Sequence, residues 1–257
     1  MDTERQTLSR TFNTAAELYD EIRPGYPEQV IEDVIRLSGL PRGGSILELG
    51  CGTGQATAPF AKRGYSLLCL DIGEKMIAVA SRKFAAFDNV AFRVQSFEEW
   101  NPGERRFDLV MAATSFIWID PEVRYTKAVS VLKPTGSLAL FYNKHVRKDE
   151  GFFADAQAIY RECAPSLSGA APQTEAKQQV ETGADLFSEP IQMTYPWVTE
   201  YTTDEYIKLL CTYSGHIDLP KNELERLLSG IRDLIDKRYS GSVVKHYEAA
   251  LEVRKKR

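Results

Sequence analysis

The run Glu48-Leu49-Gly50-Cys51-Gly52-Thr53-Gly54-Gln55 sets three glycines at alternate positions just behind a carboxylate. Such glycines let a backbone turn sharply and let a ligand approach main-chain N–H groups closely. The spacing separates two chemistries. In the dinucleotide fingerprint G-x-G-x-x-G the third glycine would fall where Gln55 stands, and no Lys-Ser/Thr follows as in a phosphate-binding P-loop. Glu48 would repel a polyanion and suits an ammonium or sulfonium charge. A second carboxylate, Asp71, follows 17 residues after Gly54, near the place of a ribose-binding acid in a nucleotide-binding unit, where it can accept from both ribose hydroxyls and disfavours a 2′-phosphate. Plainer readings exist for both features: a purely structural glycine turn, and an aspartate capping the helix that follows Gly73.

These residues need elements to position them. Ser45 to Leu49, Tyr65 to Asp71, Val90 to Gln95, Phe107 to Ala113 and Ser137 to Asn143 read as strands. Gly54 to Arg63, Gly73 to Ala86 and Pro121 to Leu132 read as the intervening helices. Near-continuous apolar strands mark a parallel sheet buried on both faces, and alternating β and α units mark a doubly wound α/β fold with right-handed crossovers. After residue 150 the rhythm changes. Gly151 to Cys163 reads as helix, 164–188 as loop and 190–198 as strand. Two stripes, Tyr206 to Tyr213 and Leu224 to Ile235, have the spacing of helices with one apolar face, and Val243 to Arg254 alternates as a strand. The expected architecture is a mostly parallel seven-stranded sheet with an inserted helical cap. Residues 1–40 are expected to form an N-terminal helical flap, 41–145 the ligand-binding core, and 146–257 the cap and the strands that complete the sheet. In the flap, Pro27 can open a helix. Tyr19, Arg23 and Tyr26 give residues 10–26 two readings, an amphipathic helix packed on the domain or a flap over a ligand.

Composition narrows the class. The chain has 257 residues, a net charge of −4, 43% hydrophobic and 26% charged residues, which fits an ordinary globular protein and argues against a nucleic-acid coat or a membrane-surface protein. No apolar run is long enough to span a bilayer, and Met1 to Arg10 lacks the apolar core of a secretion signal. Cys51, Cys69, Cys163 and Cys211 show no C-x-x-C spacing, and His145, His216 and His246 are scattered. Free thiols in a cytoplasmic protein and no metal site are the expectation.

Taken together, Ile46 to Gln55, Leu70-Asp71-Ile72, Val94 to Glu98, Phe107-Asp108-Leu109-Val110 and Leu132-Lys133-Pro134-Thr135-Gly136 resemble the successive motifs of class I S-adenosylmethionine-dependent methyltransferases. The resemblance is strong over about 40–143. At the ends it is weaker: Tyr19 with Arg23-Pro24-Gly25-Tyr26-Pro27, Tyr201-Thr202-Thr203 and Thr212-Tyr213-Ser214 look like the type 11 or trans-aconitate methyltransferase-like branch. It implies S-adenosylmethionine as cofactor. Gly50, Gly52, Gly54 and Gln55 would line its methionine part, Glu48 would hold the amino end and Asp71 the ribose. Ile72 and Met76 would cover the adenine face, Ser96, Phe97 and Glu98 would follow the adenine edge, and Ala113 and Thr114 would lie near the sulfonium. Two departures stand out. Ser96 occupies a place where the family commonly has an aspartate, and a hydroxyl accepts more weakly than a carboxylate. Ile117 stands before Trp118 where related sequences often carry a histidine.

Methyl transfer from a sulfonium is an in-line displacement with a neutral leaving group, so positioning dominates and can supply on the order of 7–11 kcal/mol. A base is needed only if the acceptor atom carries a proton. Tyr19, Tyr142 and His145 are the candidates at the carboxyl ends of the strands, His145 having also a plain reading as a loop histidine. The basic run around His145, with Arg147 and Lys148, reads as a solvated turn or a binder of substrate carboxylate. Arg23 has the geometry of a carboxylate clamp. Phe116 and Trp118 can wall an apolar substrate pocket or pack beneath the cap. The expected function is methylation of an O, N or C atom of a small molecule by a monomer or homodimer with no nucleic-acid or membrane partner. The rivals are a non-catalytic S-adenosylmethionine-binding protein and an NAD-dependent oxidoreductase, the latter disfavoured by Gln55.

Overall fold

The computed structural model describes residues 15–146, 150–168 and 183–257. Residues 1–14 of the flap, Arg147 and Lys148, and 169–182 of the expected loop lie outside them. The described elements run α1 (Ala16–Ile22), α2 (Glu28–Ser38), β1 (Ser45–Leu49), α3 (Thr57–Lys62), β2 (Ser66–Asp71), α4 (Glu74–Lys83), β3 (Val90–Val94), β4 (Phe107–Ala113), α5 (Arg124–Val131), β5 (Leu132–His145), α6 (Phe152–Cys163), β6 (Ile191–Thr202), α7 (Thr203–Leu210), α8 (Ser214–Ile217), α9 (Lys221–Arg238) and β7 (Ser242–Lys255).

The seven strands form one sheet in the order β3-β2-β1-β4-β5-β7-β6. The first five are parallel, and β7 runs antiparallel to both β5 and β6. Leaving β1, the chain winds outward through β2 and β3, then returns across the sheet to β4. The loops that follow β1 and β4 therefore part at the switch point, where open α/β sheets bind ligands.

Alternation along β1 assigns its side chains to opposite faces. Ile46 joins the core formed with Val30, Ile31 and Val34 of α2 and Phe60 of α3, whereas Leu47 and Leu49 join a second core with Trp100, Val131 and Leu132. A third core lies in the cap: Phe152 of α6, Tyr206, Leu209 and Leu210 of α7, Leu227, Ile231 and Ile235 of α9, and Tyr247 of β7. Ile22 of α1 reaches into this cluster. The cap helices are thus held by the same apolar burial as the sheet.

Element ends follow local chemistry. Pro27 precedes the first residue of α2 rather than occupying it, and Gly39 ends that helix in the left-handed conformation, φ 64°. Thr202 and Glu205 form a reciprocal capping box at the start of α7. Several expected boundaries move: the strand expected over 190–198 extends to Thr202, the intervening helices are shorter at their ends, and β5 begins at Leu132, not Ser137, where Leu132 pairs with Phe107 before a register shift. Ile231 is fully buried among cap side chains, so Ile231→Ala is expected to cost about 2–5 kcal/mol, read as a lower urea midpoint at unchanged slope.

Candidate functional site

The glycine turn after β1 is built by backbone bonds to β2. Gly50 and Cys51 both donate to the Leu70 carbonyl, at 2.8 and 3.1 Å, and Gly54 donates to Cys51 at 3.0 Å. The three glycines serve different ends. A Cβ on Gly50 would lie 2.5 Å from Ser115 Cβ, and one on Gly54 would lie 2.5 Å from a Phe84 ring carbon. Gly52, with φ 56°, meets only Tyr19 at 3.9 Å and faces open space. It is the glycine whose backbone lies open to both cavities.

Two cavities flank this turn. One, of about 430 Å³, is lined by Asp71, Ile72, Met76, Ser96, Phe97, Glu98 and Trp118, among others. The other, of about 460 Å³, is lined by Glu48, Gln55, His145, Tyr160, Tyr213, His216 and Lys245, among others. Tyr19, Arg23, Gly50, Gly52, Ala113 and Thr114 line both. The first has the residues expected around a nucleoside. Asp71 Oδ2 accepts from Gly52 N–H and Oδ1 from Gly73 N–H, each at 2.8 Å. Burial raises the Asp71 pKa against those bonds. Ser96 Oγ accepts from Glu99 N–H at 3.2 Å, and Glu98 Oε1 accepts from Asp120 N–H at 3.0 Å.

Glu48 is the buried charge of the site. Its Oε2 accepts from Thr57 Oγ1 at 2.6 Å and from the Cys69 thiol at 3.6 Å, while Oε1 has no partner. Burial pushes its pKa up to about 7, against the Thr57 bond. A buried carboxylate oxygen left open beside a ligand-facing glycine fits the ammonium of an aminoacyl ligand. Thr114, at the end of β4, is a non-glycine residue with φ 63°. It is held by its N–H to the Phe141 carbonyl and by a 2.8 Å bond between its hydroxyl and Tyr26 Oη. Such a conformation costs on the order of 1–3 kcal/mol, and here it lies where the cavities meet.

Several expected roles change on placement. Phe116 lines neither cavity: it is buried against Tyr125 and Arg124. Gly54 likewise lines neither, because Phe84 closes over it. Gln55 lies on the side of Glu48, and Trp118 on the nucleoside side. Tyr142 faces outward on β5. Arg23 is already engaged. Its Nε and Nη2 donate to Thr212 Oγ1 and to the Thr212 carbonyl, at 2.8 and 2.7 Å, and its guanidinium lies between the Tyr19 and Tyr213 rings, 4.9 and 4.5 Å from their centroids. His145 packs on Phe153 at the wall of the second cavity.

Tyr160, Tyr213, His216, Lys245 and Tyr247 complete the second cavity and were not expected there. Lys245 is buried at 4% exposure. His216 Nε2 pairs with Tyr160 Oη at 2.9 Å, and burial with nearby Lys245 and Arg23 lowers its pKa to about 4, so it is neutral at pH 7.

The raised Glu48 pKa gives a pH signature. Below about 7 the carboxylate is protonated and no longer attracts an ammonium, so S-adenosylhomocysteine affinity, measured by calorimetry, is expected to fall as pH drops from about 8 to about 6. The ligand-free fold responds oppositely. Its Glu48 pKa stands above the ordinary 4.5, so the folded state binds the extra proton and gains stability from this group as pH falls from about 7 to 4.5. Glu48→Gln is expected to flatten both trends.

Residues 46–136 match the family described as a methyltransferase domain. An uncharacterised methyltransferase of Schizosaccharomyces pombe is 26% identical over 230 residues, 89% of this chain and 88% of that protein. Other curated methyltransferases match over little more than half of their own length. Among solved structures, YcgJ of Bacillus subtilis superposes with a TM-score of 0.54 at 15% identity, covering 90% of this chain and 99% of the other. A Haemonchus contortus phosphoethanolamine N-methyltransferase 2, solved with phosphomonomethylethanolamine and S-adenosylhomocysteine, superposes with a TM-score of 0.56 at 16% identity, covering 99% of this chain and 58% of the other. These two likenesses establish the fold. Residues 46–136 are thus a methyltransferase domain, set in a sheet whose fold is that of these solved structures.

Proposed function

We propose that the protein transfers a methyl group from S-adenosylmethionine to a small-molecule acceptor seated in the second cavity. The observation that carries this reading is the junction of the two cavities at Tyr19, Arg23, Gly50, Gly52, Ala113 and Thr114. A volume of about 460 Å³, shared between the methionine end at Glu48 and the acceptor, is in the range of small-ligand sites, and a cavity roofed by cap helices suits a small molecule better than a nucleic acid. S-adenosylmethionine supplies, when bound, an electrophilic methyl carbon on a sulfur that leaves neutral.

The chain's own residues supply position. In this reading Asp71 grips the ribose and fixes Gly52, Glu48 Oε1 takes the amino group, and the Gly50–Gly52 backbone with Thr114 sets where the two ligands meet. Tyr19, on α1, walls both. Such alignment is the larger part of catalysis for this reaction. Among the described residues no helix is long and apolar enough to cross a membrane. The four thiols are free, and we place the enzyme in the reducing cytoplasm.

Asp71→Ala is expected to weaken S-adenosylhomocysteine binding by about ten-fold or more, roughly 1.4 kcal/mol, with an unchanged circular dichroism spectrum; unaltered affinity in calorimetry would remove the ribose assignment. Incubation with S-adenosylmethionine and a panel of alcohols, phenols, amines and carboxylic acids is expected to release S-adenosylhomocysteine with one class. Tight cofactor binding with no turnover across the panel would favour the non-catalytic alternative.

A further inference from the structure

Lys245 is a cation with unusual company. It lies on the buried stripe of β7, between Val243 and Tyr247, and lines the acceptor cavity. Among the described residues no carboxylate pairs with it or with Arg23. A buried cation needs a counter-charge. The group its ammonium meets is Tyr213 Oη, at 2.8 Å.

The surroundings of Tyr213 repeat the pattern. Tyr247 hydrogen-bonds to the same oxygen, and Tyr247 Oη is in turn 3.4 Å from Tyr201 Oη. The Arg23 guanidinium lies over the Tyr213 ring and also over the Tyr19 ring. The neutral His216 ring is 5.7 Å away and is tied to Tyr160. Lys245 donates to Tyr213, while Nε and Nη2 of Arg23 donate to Thr212. Lys245 and Tyr247 converge on one phenol oxygen, as donors do on an oxyanion.

We propose that Tyr213, as its phenolate, is the general base of the reaction, and that the acceptor is a hydroxyl or amine compound whose proton it takes. This rests on the methyltransferase reading. As the acceptor's oxygen or nitrogen forms its bond to the methyl carbon, the methyl–sulfur bond pair leaves with sulfur. The proton passes to Tyr213 Oη and from there to solvent. Lys245 and Tyr247 are positioning residues that hold the charge on that oxygen.

The electrostatics of the neighbouring phenols agree. Burial works against ionising Tyr213, but Lys245 and Arg23 outweigh it and bring its pKa below the ordinary 10.0. Burial and the charge on Tyr213 drive Tyr247 far upward, and burial raises Tyr201. Environments that push neighbouring groups apart assign the base to one of them. His216, at about 4, is too weak a base for work near neutral pH.

The test needs no acceptor. The near-ultraviolet tyrosinate band of the free protein is titrated for wild type, Tyr213→Phe and Lys245→Met. The wild-type minus Tyr213→Phe difference is expected to show one tyrosinate forming below pH 10, and Lys245→Met to move that step upward. A Tyr213 that ionises at or above 10, or a step indifferent to Lys245, would overturn the proposal. Calorimetry with S-adenosylhomocysteine on each variant is expected to give wild-type affinity, which certifies the fold. Failure of the wild type to bind would sink the methyltransferase reading without touching the titration. With an alcohol or amine that turns over, Tyr213→Phe is expected to lower kcat by about 10²–10⁴-fold at little-changed KM and to remove the rise of kcat with pH. A carboxylic acid as the sole acceptor class would also overturn the proposal.

Discussion

One carboxylate ties the cofactor cavity together. Asp71 ends β2, and its two oxygens each take a backbone N–H, from Gly52 on one side and Gly73 on the other. The turn after β1 and the turn after β2 are therefore fixed to the same group. Each oxygen keeps a second lone pair, so the side chain that sets the loop can also accept from a sugar. Gly52 must then hold φ 56° with its carbon open to the cavity, and Gly50 must be small because Ser115, anchored by its hydroxyl on the Leu49 carbonyl, stands against it. The glycine pattern is a consequence of this packing as much as of the ligand.

The second constraint is the way α1 joins two bodies of the fold. Ala16 and Tyr19 pack with Met76 and Val79 of α4, beside the nucleoside cavity, while Ile22 enters the cap core. Arg23 completes the link by bonding Thr212 and lying between two tyrosine rings. Contacts of this type are worth about 0.5–2 kcal/mol each. Losing them would loosen the wall shared by both cavities, so α1 serves as a strut as well as a cover.

What the sequence discloses follows the range of the interactions. The first five strands and the helices between them are legible because parallel strands buried on both faces read as apolar runs, and the glycine turn is legible because its conformation is local. Asp71 and Glu48 follow from their distance to that turn. The acceptor cavity is another matter. It is assembled from α1, β5, α6, α7, α8 and β7, and no local pattern announces such a meeting. Arg23 shows the limit: its residue type suggests a clamp, but its donors are engaged by Thr212, 189 positions away. Phe116 shows it for apolar residues, since a ring after a strand can face ligand or core with the same sequence. Lys245 was nonetheless discoverable. The alternation that defines β7 runs Val243, Lys245, Tyr247, Ala249, and a lysine on an otherwise buried stripe is a marked charge.

Charge is distributed across the site in a way that suits its chemistry. Asp71 lies in the nucleoside cavity and Glu48, fully buried, in the wall of the second, and desolvation raises the pKa of both. Lys245 lines the second cavity and Arg23 lines both, without carboxylate partners among the described residues. A sulfonium with its ammonium would neutralise the first pair, and an ionised Tyr213 would neutralise part of the second. Methyl transfer removes the sulfonium charge, so groups that keep negative charge on the attacking side and shed it only as the new bond forms favour the transition state over the ground state. A phenolate that trades its charge for a proton during transfer has that property. The arrangement of two cations around one phenol is the form such a device takes in a low-dielectric cavity, where charge separation is costly and a shared proton is the least expensive carrier.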